Sequence, residues 1–248
     1  MKLTIRRHQN DRSYDKTFDI ASLKVTTLLS ALYEIKAKLD ATLTFDAECR
    51  SGVCGACAVR VNGRETLACS YRVADGDRVE ALAYHPVLRD LRVDKSRPQA
   101  TLERILPRPE TLEAASVVTP EEEARFRIQS DCILCDSCYS VCPVFAVEEG
   151  FAGPFALSRA LRYAEDPRLG EDSKGSILQK IQEKGIWDCT LCGECTAVCP
   201  QGLDPKGDIM ELRSASLRAG YSDPTFAAQS FGGGDFGGGF GFDPNAGF

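Results

Sequence analysis

Histidine is nearly absent from this sequence: His8 and His85 are the only two in 248 residues. Neither lies near a cysteine group, which disfavours a Rieske centre (two histidines on one iron) and haem held by paired histidines. No histidine is paired with a nucleophile and no glycine motif cradles a phosphate, so no catalytic constellation stands out. No run approaches the roughly 18 consecutive apolar residues of a membrane span. Cations are in deficit, 30 Lys and Arg against 36 Asp and Glu, a formal charge of −6. That argues against a nucleic-acid partner, which asks for a basic stripe. A signal core is missing too: Met1-Lys-Leu-Thr-Ile-Arg-Arg-His goes straight into strand-like alternation.

Cysteine is what the chain has in quantity, twelve residues, and every one falls in a metal-spaced group. A disulfide framework would need an oxidising compartment, so the expectation is a soluble chain, made and loaded with metal in a reducing cytoplasm. The last third carries Asp188-Cys189-Thr-Leu-Cys192-Gly-Glu-Cys195-Thr-Ala-Val-Cys199-Pro200. Its partner lies earlier: Asp131-Cys132-Ile-Leu-Cys135-Asp-Ser-Cys138-Tyr-Ser-Val-Cys142-Pro143. Both read C-x2-C-x2-C-x3-C-P, the run of two-cluster bacterial ferredoxins. Three thiolates at this spacing wrap one corner of a cubane. The fourth, just before proline, lies beyond the wrap and ligates the other cluster. The repeats should therefore cross-link: Cys132, Cys135 and Cys138 completed by Cys199, and Cys189, Cys192 and Cys195 completed by Cys142. A single such run could be a zinc knuckle; two complete copies ending in Cys-Pro favour iron–sulfur clusters.

A third group precedes these: Cys49-Arg-Ser-Gly-Val-Cys54-Gly-Ala-Cys57, with Cys69 further on. C-x4-C-x2-C with a distal fourth cysteine is the plant-type spacing for a 2Fe–2S cluster. Gly52 and Gly55 suit a loop that folds tightly around two irons, because glycine permits both positive φ and close approach. A four-thiolate zinc site is the alternative, and the x4 loop favours the cluster.

Around the motifs, residues 2–8 and 14–20 show the period-two pattern of a hairpin, with Gln9–Ser13 as its turn. Val25 to about Leu39 places Leu28, Leu29, Leu32, Ile35 and Leu39 at helical spacing. Ala58 to Gly63 reads as a strand entering an Asn-Gly turn, Glu65 to Cys69 returns, and Arg78 to Ala83 is a further strand. Residues 95–131 read as a connector broken by Ser96-Arg-Pro98, Pro107-Arg-Pro109 and Pro120, with a helix beginning at the Thr119 cap. Further helices are expected at Pro154–Glu165, at Ile177–Lys184 with Gly185 as the stop, and at Asp208–Arg218. The expected organisation is an α+β domain over 1–100, a helical two-cluster domain over 101–221, and a Gly/Phe-rich flexible tail over 222–248.

Taken together these halves resemble one family, the iron–sulfur subunits of succinate dehydrogenases and fumarate reductases. The resemblance runs over nearly all of residues 1–222. Besides the cysteine motifs it rests on Asn62-Gly63, Leu67-Ala-Cys69, Pro86-Val-Leu-Arg-Asp-Leu-Arg-Val-Asp94, Gly153-Pro154, Trp187-Asp-Cys189 and Cys199-Pro-Gln-Gly-Leu-Asp-Pro205. It implies an α+β β-grasp (plant-type ferredoxin) domain followed by an all-α, bacterial-ferredoxin-like domain. It also implies a non-catalytic electron-transfer subunit of an enzyme complex, passing electrons between the FAD of a flavoprotein subunit and a quinone-side partner. The complex would be peripheral on the cytoplasmic membrane. Its expected side is the cytoplasmic one, or the periplasmic one if the flavoprotein carries an export signal.

Two departures from the family pattern bear on the quinone end. Most members carry an aliphatic residue where Cys192 stands and hold a 3Fe–4S cluster there. With the fourth thiolate present, a second 4Fe–4S cluster is expected, the alternative being Cys192 as a small buried thiol beside a three-iron cluster. The aromatic pair expected after the first Cys-Pro is Ala146-Val147, and the histidine expected after Cys189 is Thr190. The chain thus resembles the methylmenaquinol- or thiol-linked branch, whose membrane-associated partner is a cysteine-rich, non-haem subunit. A free multi-cluster carrier, a zinc-stabilised interaction module and the subunit of a flavoprotein with another substrate are the competing readings.

Overall fold

The computed structural model describes residues 1–10, 12–106 and 117–225. Strands β1 (Lys2–Gln9) and β2 (Arg12–Asp19) pair antiparallel, Lys2 opposite Asp19. Alternation along β1 sends Leu3 and Ile5 into the core, as its sequence pattern requires, and also Arg7, whose side chain is fully buried. Helix α1 (Leu28–Lys38) starts later than the apolar spacing from Val25 indicates. Thr27 is extended and its side chain accepts from the Ser30 N–H, while the Ser30 hydroxyl takes the Thr27 N–H. This reciprocal cap fixes the start. The helix buries Leu28, Leu29, Ala31, Leu32 and Ile35, each large aliphatic contributing roughly 1.5–3 kcal/mol.

Strands β3 (Ala58–Val61) and β4 (Arg64–Leu67) are joined through Asn62 (φ 52°) and Gly63 (φ 83°), the two positive-φ positions that an Asn-Gly hairpin turn needs. Strand β5 (Arg78–Glu80), shorter than the expected Arg78–Ala83, runs parallel to β1 and antiparallel to β3. The sheet order is β2-β1-β5-β3-β4. A second, two-stranded sheet of β6 (Val87–Arg89) and β7 (Arg92–Val93) was not anticipated; runs this short carry no readable period.

No strand follows among the described residues. The helices are α2 (Ser96–Ile105), α3 (Pro120–Ser130), α4 (Ser137–Ser140), α5 (Pro143–Val147), α6 (Pro154–Ala164), α7 (Glu171–Lys180), α8 (Glu194–Ala197) and α9 (Pro205–Arg218). Two expectations need correction. The segment read as a broken connector holds α2, because Pro98 lies in its first turn, where a missing N–H costs nothing. Helix α7 spans Glu171–Lys180 rather than Ile177–Lys184; its first turn carries Glu171 and Asp172, which suit the positive helix end. Pro107, Pro109 and residues 226–248 of the Gly/Phe-rich stretch lie outside the described residues.

One core lies between the large sheet and α1, and a second gathers Ile105 of α2 with the apolar faces of α6, α7 and α9. A polar joint connects the two. Ala83 N–H donates to Ser140 Oγ at 2.7 Å, and that hydroxyl donates to buried Glu65 at 2.7 Å. Glu65 also faces Arg60 at 3.0 Å. Ser140 stands between Cys138 and Cys142, so the sheet grips the helical region in the middle of its first cysteine repeat. No helix among the described residues is long and apolar enough to cross a membrane.

Candidate metal centres

None of the twelve cysteines is in a disulfide, and they fall into three groups. The loop from Cys49 to Cys57 turns through Arg50 (φ 60°), Gly52 (φ 80°) and Gly55 (φ 72°). These reversals aim backbone N–H groups inward. Ser51 N lies 3.4 Å from Cys49 Sγ. The Ser51 N–H first, then Cys54 and the Val53 N–H, pull the Cys49 thiol down to about 6. Burial pushes the Cys57 thiol up to about 11, with Cys69 within hydrogen-bond reach of it. Cys54 thus lies within hydrogen-bond reach of Cys49, and Cys69 within reach of Cys57. A two-iron cluster asks for this arrangement, two thiolates on each iron.

The two C-x2-C-x2-C-x3-C-P repeats fold alike. The second residue after the first cysteine is left-handed in both, Leu134 (φ 51°) and Leu191 (φ 55°), as is the residue after the second cysteine, Asp136 (φ 67°) and Gly193 (φ 84°). For a non-glycine residue this conformation costs roughly 1 kcal/mol, and here it turns an amide toward sulfur: Leu191 N lies 3.4 Å from Cys189 Sγ. Short helices α4 and α8 then carry the third cysteine, and the chain leaves through Cys-Pro.

Two cavities result. One is lined by Cys132, Cys135, Cys138 and Cys199, with Phe155, Ser158 and Leu203 among its walls. The other is lined by Cys142, Cys189, Cys192 and Cys195, with Phe151, Lys206 and Ile209. Each collects three cysteines of one repeat and the last cysteine of the other. Burial pushes Cys132, Cys138 and Cys142 up, and Cys195 to about 12. A buried thiol of this kind stays protonated until iron binds it as thiolate and displaces the proton to solvent. Cys192 is the exposed member of its group. Among the described residues no three Cys, His, Asp or Glu side chains converge on a point that one ion would occupy. The sulfurs line the walls of the two cavities.

Several residues around these groups carry no sequence signal. A Cβ on Gly55 would meet Cys135 Cβ and the Ile133 carbonyl at 2.8 Å, so the first cysteine loop lies directly against the first repeat. Gln201 Nε2, from the wall of the cavity that holds Cys132, Cys135 and Cys138, donates to Gly52 O at 2.9 Å across that junction. Lys95 reaches Cys135 O at 3.2 Å and pairs with buried Asp136 at 3.4 Å. Arg159 of α6 donates to Cys132 O at 2.9 Å. Arg213 of α9 donates to Ile186 O, Trp187 O and Cys189 O, the last at 2.7 Å. Contacts between residues so far apart in the chain leave no local pattern.

A family model described as a 2Fe-2S iron-sulfur cluster binding domain matches residues 2–99, and one described as a 4Fe-4S dicluster domain matches residues 128–203. The chain is 36% identical over 209 residues to the fumarate reductase iron-sulfur subunit of Mycobacterium tuberculosis, covering 80% of this chain and 84% of that relative. It is 35% identical over 244 residues to the 8-methylmenaquinol:fumarate reductase iron-sulfur subunit of Wolinella succinogenes, covering 90% of this chain and 74% of that one. A chain of the Mycobacterium smegmatis Sdh1 complex in the apo form superposes with a TM-score of 0.76 at 24% identity, covering 89% of this chain and 97% of that chain; this likeness concerns the fold. With both domain models matched in order, and relatives of this identity aligned over most of their length, the chain belongs to the family of iron–sulfur subunits of fumarate reductases and succinate dehydrogenases.

Proposed function

We propose that this chain is the electron-transfer subunit of a fumarate reductase or succinate dehydrogenase complex and performs no substrate chemistry itself. When bound, its clusters supply one-electron centres in series between the FAD of a flavoprotein partner and a quinone-side partner. Cys49, Cys54, Cys57 and Cys69 would hold the 2Fe–2S cluster. Cys132, Cys135, Cys138 and Cys199 would hold one 4Fe–4S cluster, and Cys142, Cys189, Cys192 and Cys195 a second. The observation that carries this reading is the exchange of the fourth cysteine between the two C-terminal cavities.

The chain's own residues insulate and hold these centres. Phe151, Phe155 and Ile209 line the cavities with apolar surface, excluding water from iron, and the left-handed turns supply amide donors to sulfur. We read the 2-1-5-3-4 sheet with its crossing α1 as a β-grasp fold, and place the domain division ahead of Ser96, since α2 packs with the helical core. Ala146-Val147, Thr190 and Cys192 favour the branch with a cysteine-rich quinone-side partner. We infer the cytoplasmic face of the membrane, because loading twelve cysteines with iron asks for a reducing compartment.

Gentle affinity purification of the full chain from membranes tests this. The expected result is co-purification of a FAD protein with a cysteine-rich subunit. A FAD protein with a haem-bearing anchor would overturn the branch, and the absence of any flavoprotein would overturn the complex.

A further inference from the structure

Two cations stand out once the repeats are compared. Arg159 lies on α6, the second helix after the first repeat, and Arg213 on α9, the helix that follows the second. Each donates to the backbone carbonyl of the first cysteine of its own repeat, Cys132 at 2.9 Å and Cys189 at 2.7 Å. Both are half-buried. Among the described residues neither enters an ion pair, whereas Lys95, which reaches Cys135 O, is matched by Asp136 at 3.4 Å. The two guanidiniums, with no carboxylate at ion-pair distance among the described residues, thus bring positive charge to the edge of two sites that each collect four cysteines. Helices α6 and α9 also pack on each other and help line both cavities, through Phe155 and Ser158 with Pro205 in one and Pro154 with Lys206 and Ile209 in the other. Charge and cavity are therefore held by the same rigid pair.

We propose that Arg159 and Arg213 set the reduction potentials of the two C-terminal centres, one arginine to each. This rests on the cysteine assignment proposed above. Reduction adds one electron to an already anionic site and breaks no ligand bond, so a fixed cation beside it favours the reduced form. Screening and separation confine most of each effect to the nearer site. The competing role is mechanical, the guanidinium serving only to tie the cysteine loop to its helix. Charge separates the two: glutamine keeps a hydrogen-bond donor without charge, and lysine keeps charge without the planar fork.

The test is an anaerobic redox titration of the loaded full chain with dithionite and mediators, read by EPR, on wild type, R159Q, R159K, R213Q and R213K. R159Q should lower the reduction equilibrium of the Cys132-repeat centre on the order of tenfold, about 59 mV for one electron, and leave the Cys189-repeat centre near wild type. R213Q should do the converse, and each lysine variant should stay near wild type. Unchanged potentials in the glutamine variants, or equal shifts of both centres in either one, would overturn the proposal. So would lysine variants that shift as far as glutamine. If glutamine variants lose their clusters, the lysine variants decide: retention at the wild-type potential supports the role of charge, and loss or displacement there overturns it. A wild-type chain without two cubane signals would instead overturn the cysteine assignment, and the inference with it.

Discussion

At the residue scale, the least expected feature is Arg7, an arginine with no exposed side-chain surface on the core face of β1. It is held by Asp90 at 2.8 Å and by Asp40 at 2.6 Å, and Lys16 reaches Asp40 at 2.7 Å. A buried cation needs this many partners, because an unpaired one costs several kcal/mol. Lys16 first, then Thr42 and Arg7, hold the Asp40 carboxyl well below its ordinary 3.8. A folded-state value below the unfolded one means that the ionised carboxylate stabilises the fold. That contribution is complete above the ordinary carboxylate range and fades as pH falls through it toward the folded value. Asp40→Asn should therefore cost on the order of 2 kcal/mol at pH 7, read as a lower thermal midpoint. The gap from wild type should narrow as pH drops below about 4, and a gap independent of pH would contradict this account.

At the scale of elements, the loop from Cys49 to Cys57 matters most, because it joins the two halves. Gly55 has positive φ and lies against Cys135 and Ile133 with no room for a methyl group. Gly55→Ala should add left-handed strain of roughly 1–2 kcal/mol and force the loop off the first repeat. The expected outcome is a lower thermal midpoint together with weaker magnetic coupling between the first and second clusters in EPR. Full retention of that coupling would show that the contact does not set their spacing. The sequence made Gly55 legible as a turn glycine but not as an interdomain contact, because its neighbours lie some eighty residues on. Capped and periodic elements were legible: the Thr119–Glu122 box starts α3 as read, and Asn62-Gly63 closes its hairpin. Helix α2 was not, because a proline in its first turn looks like a breaker when no partner surface is known. Strands β6 and β7 were too short to show a period.

For the whole molecule, the arrangement is a series. The first cysteine loop touches the first repeat through Gly55 and Gln201. The repeats exchange their last cysteines. The second repeat brings Cys192 to the surface. The cysteines that share each C-terminal cavity are those that the spacing groups together. The polar joint of Ser140 with Glu65 and the two arginine clamps could not be read from spacing, since they form only when distant segments meet.

The central claim is that the chain holds one two-iron and two four-iron centres, the last completed by Cys192. Low-temperature EPR of the oxidised, anaerobically purified full chain, with its iron content, tests this most directly. The account predicts about ten iron atoms per chain and a silent oxidised spectrum, with signals appearing on reduction. An oxidised signal of one spin per chain would mean a three-iron centre beside an idle Cys192, and a colourless protein with zinc in place of iron would contradict the account as a whole.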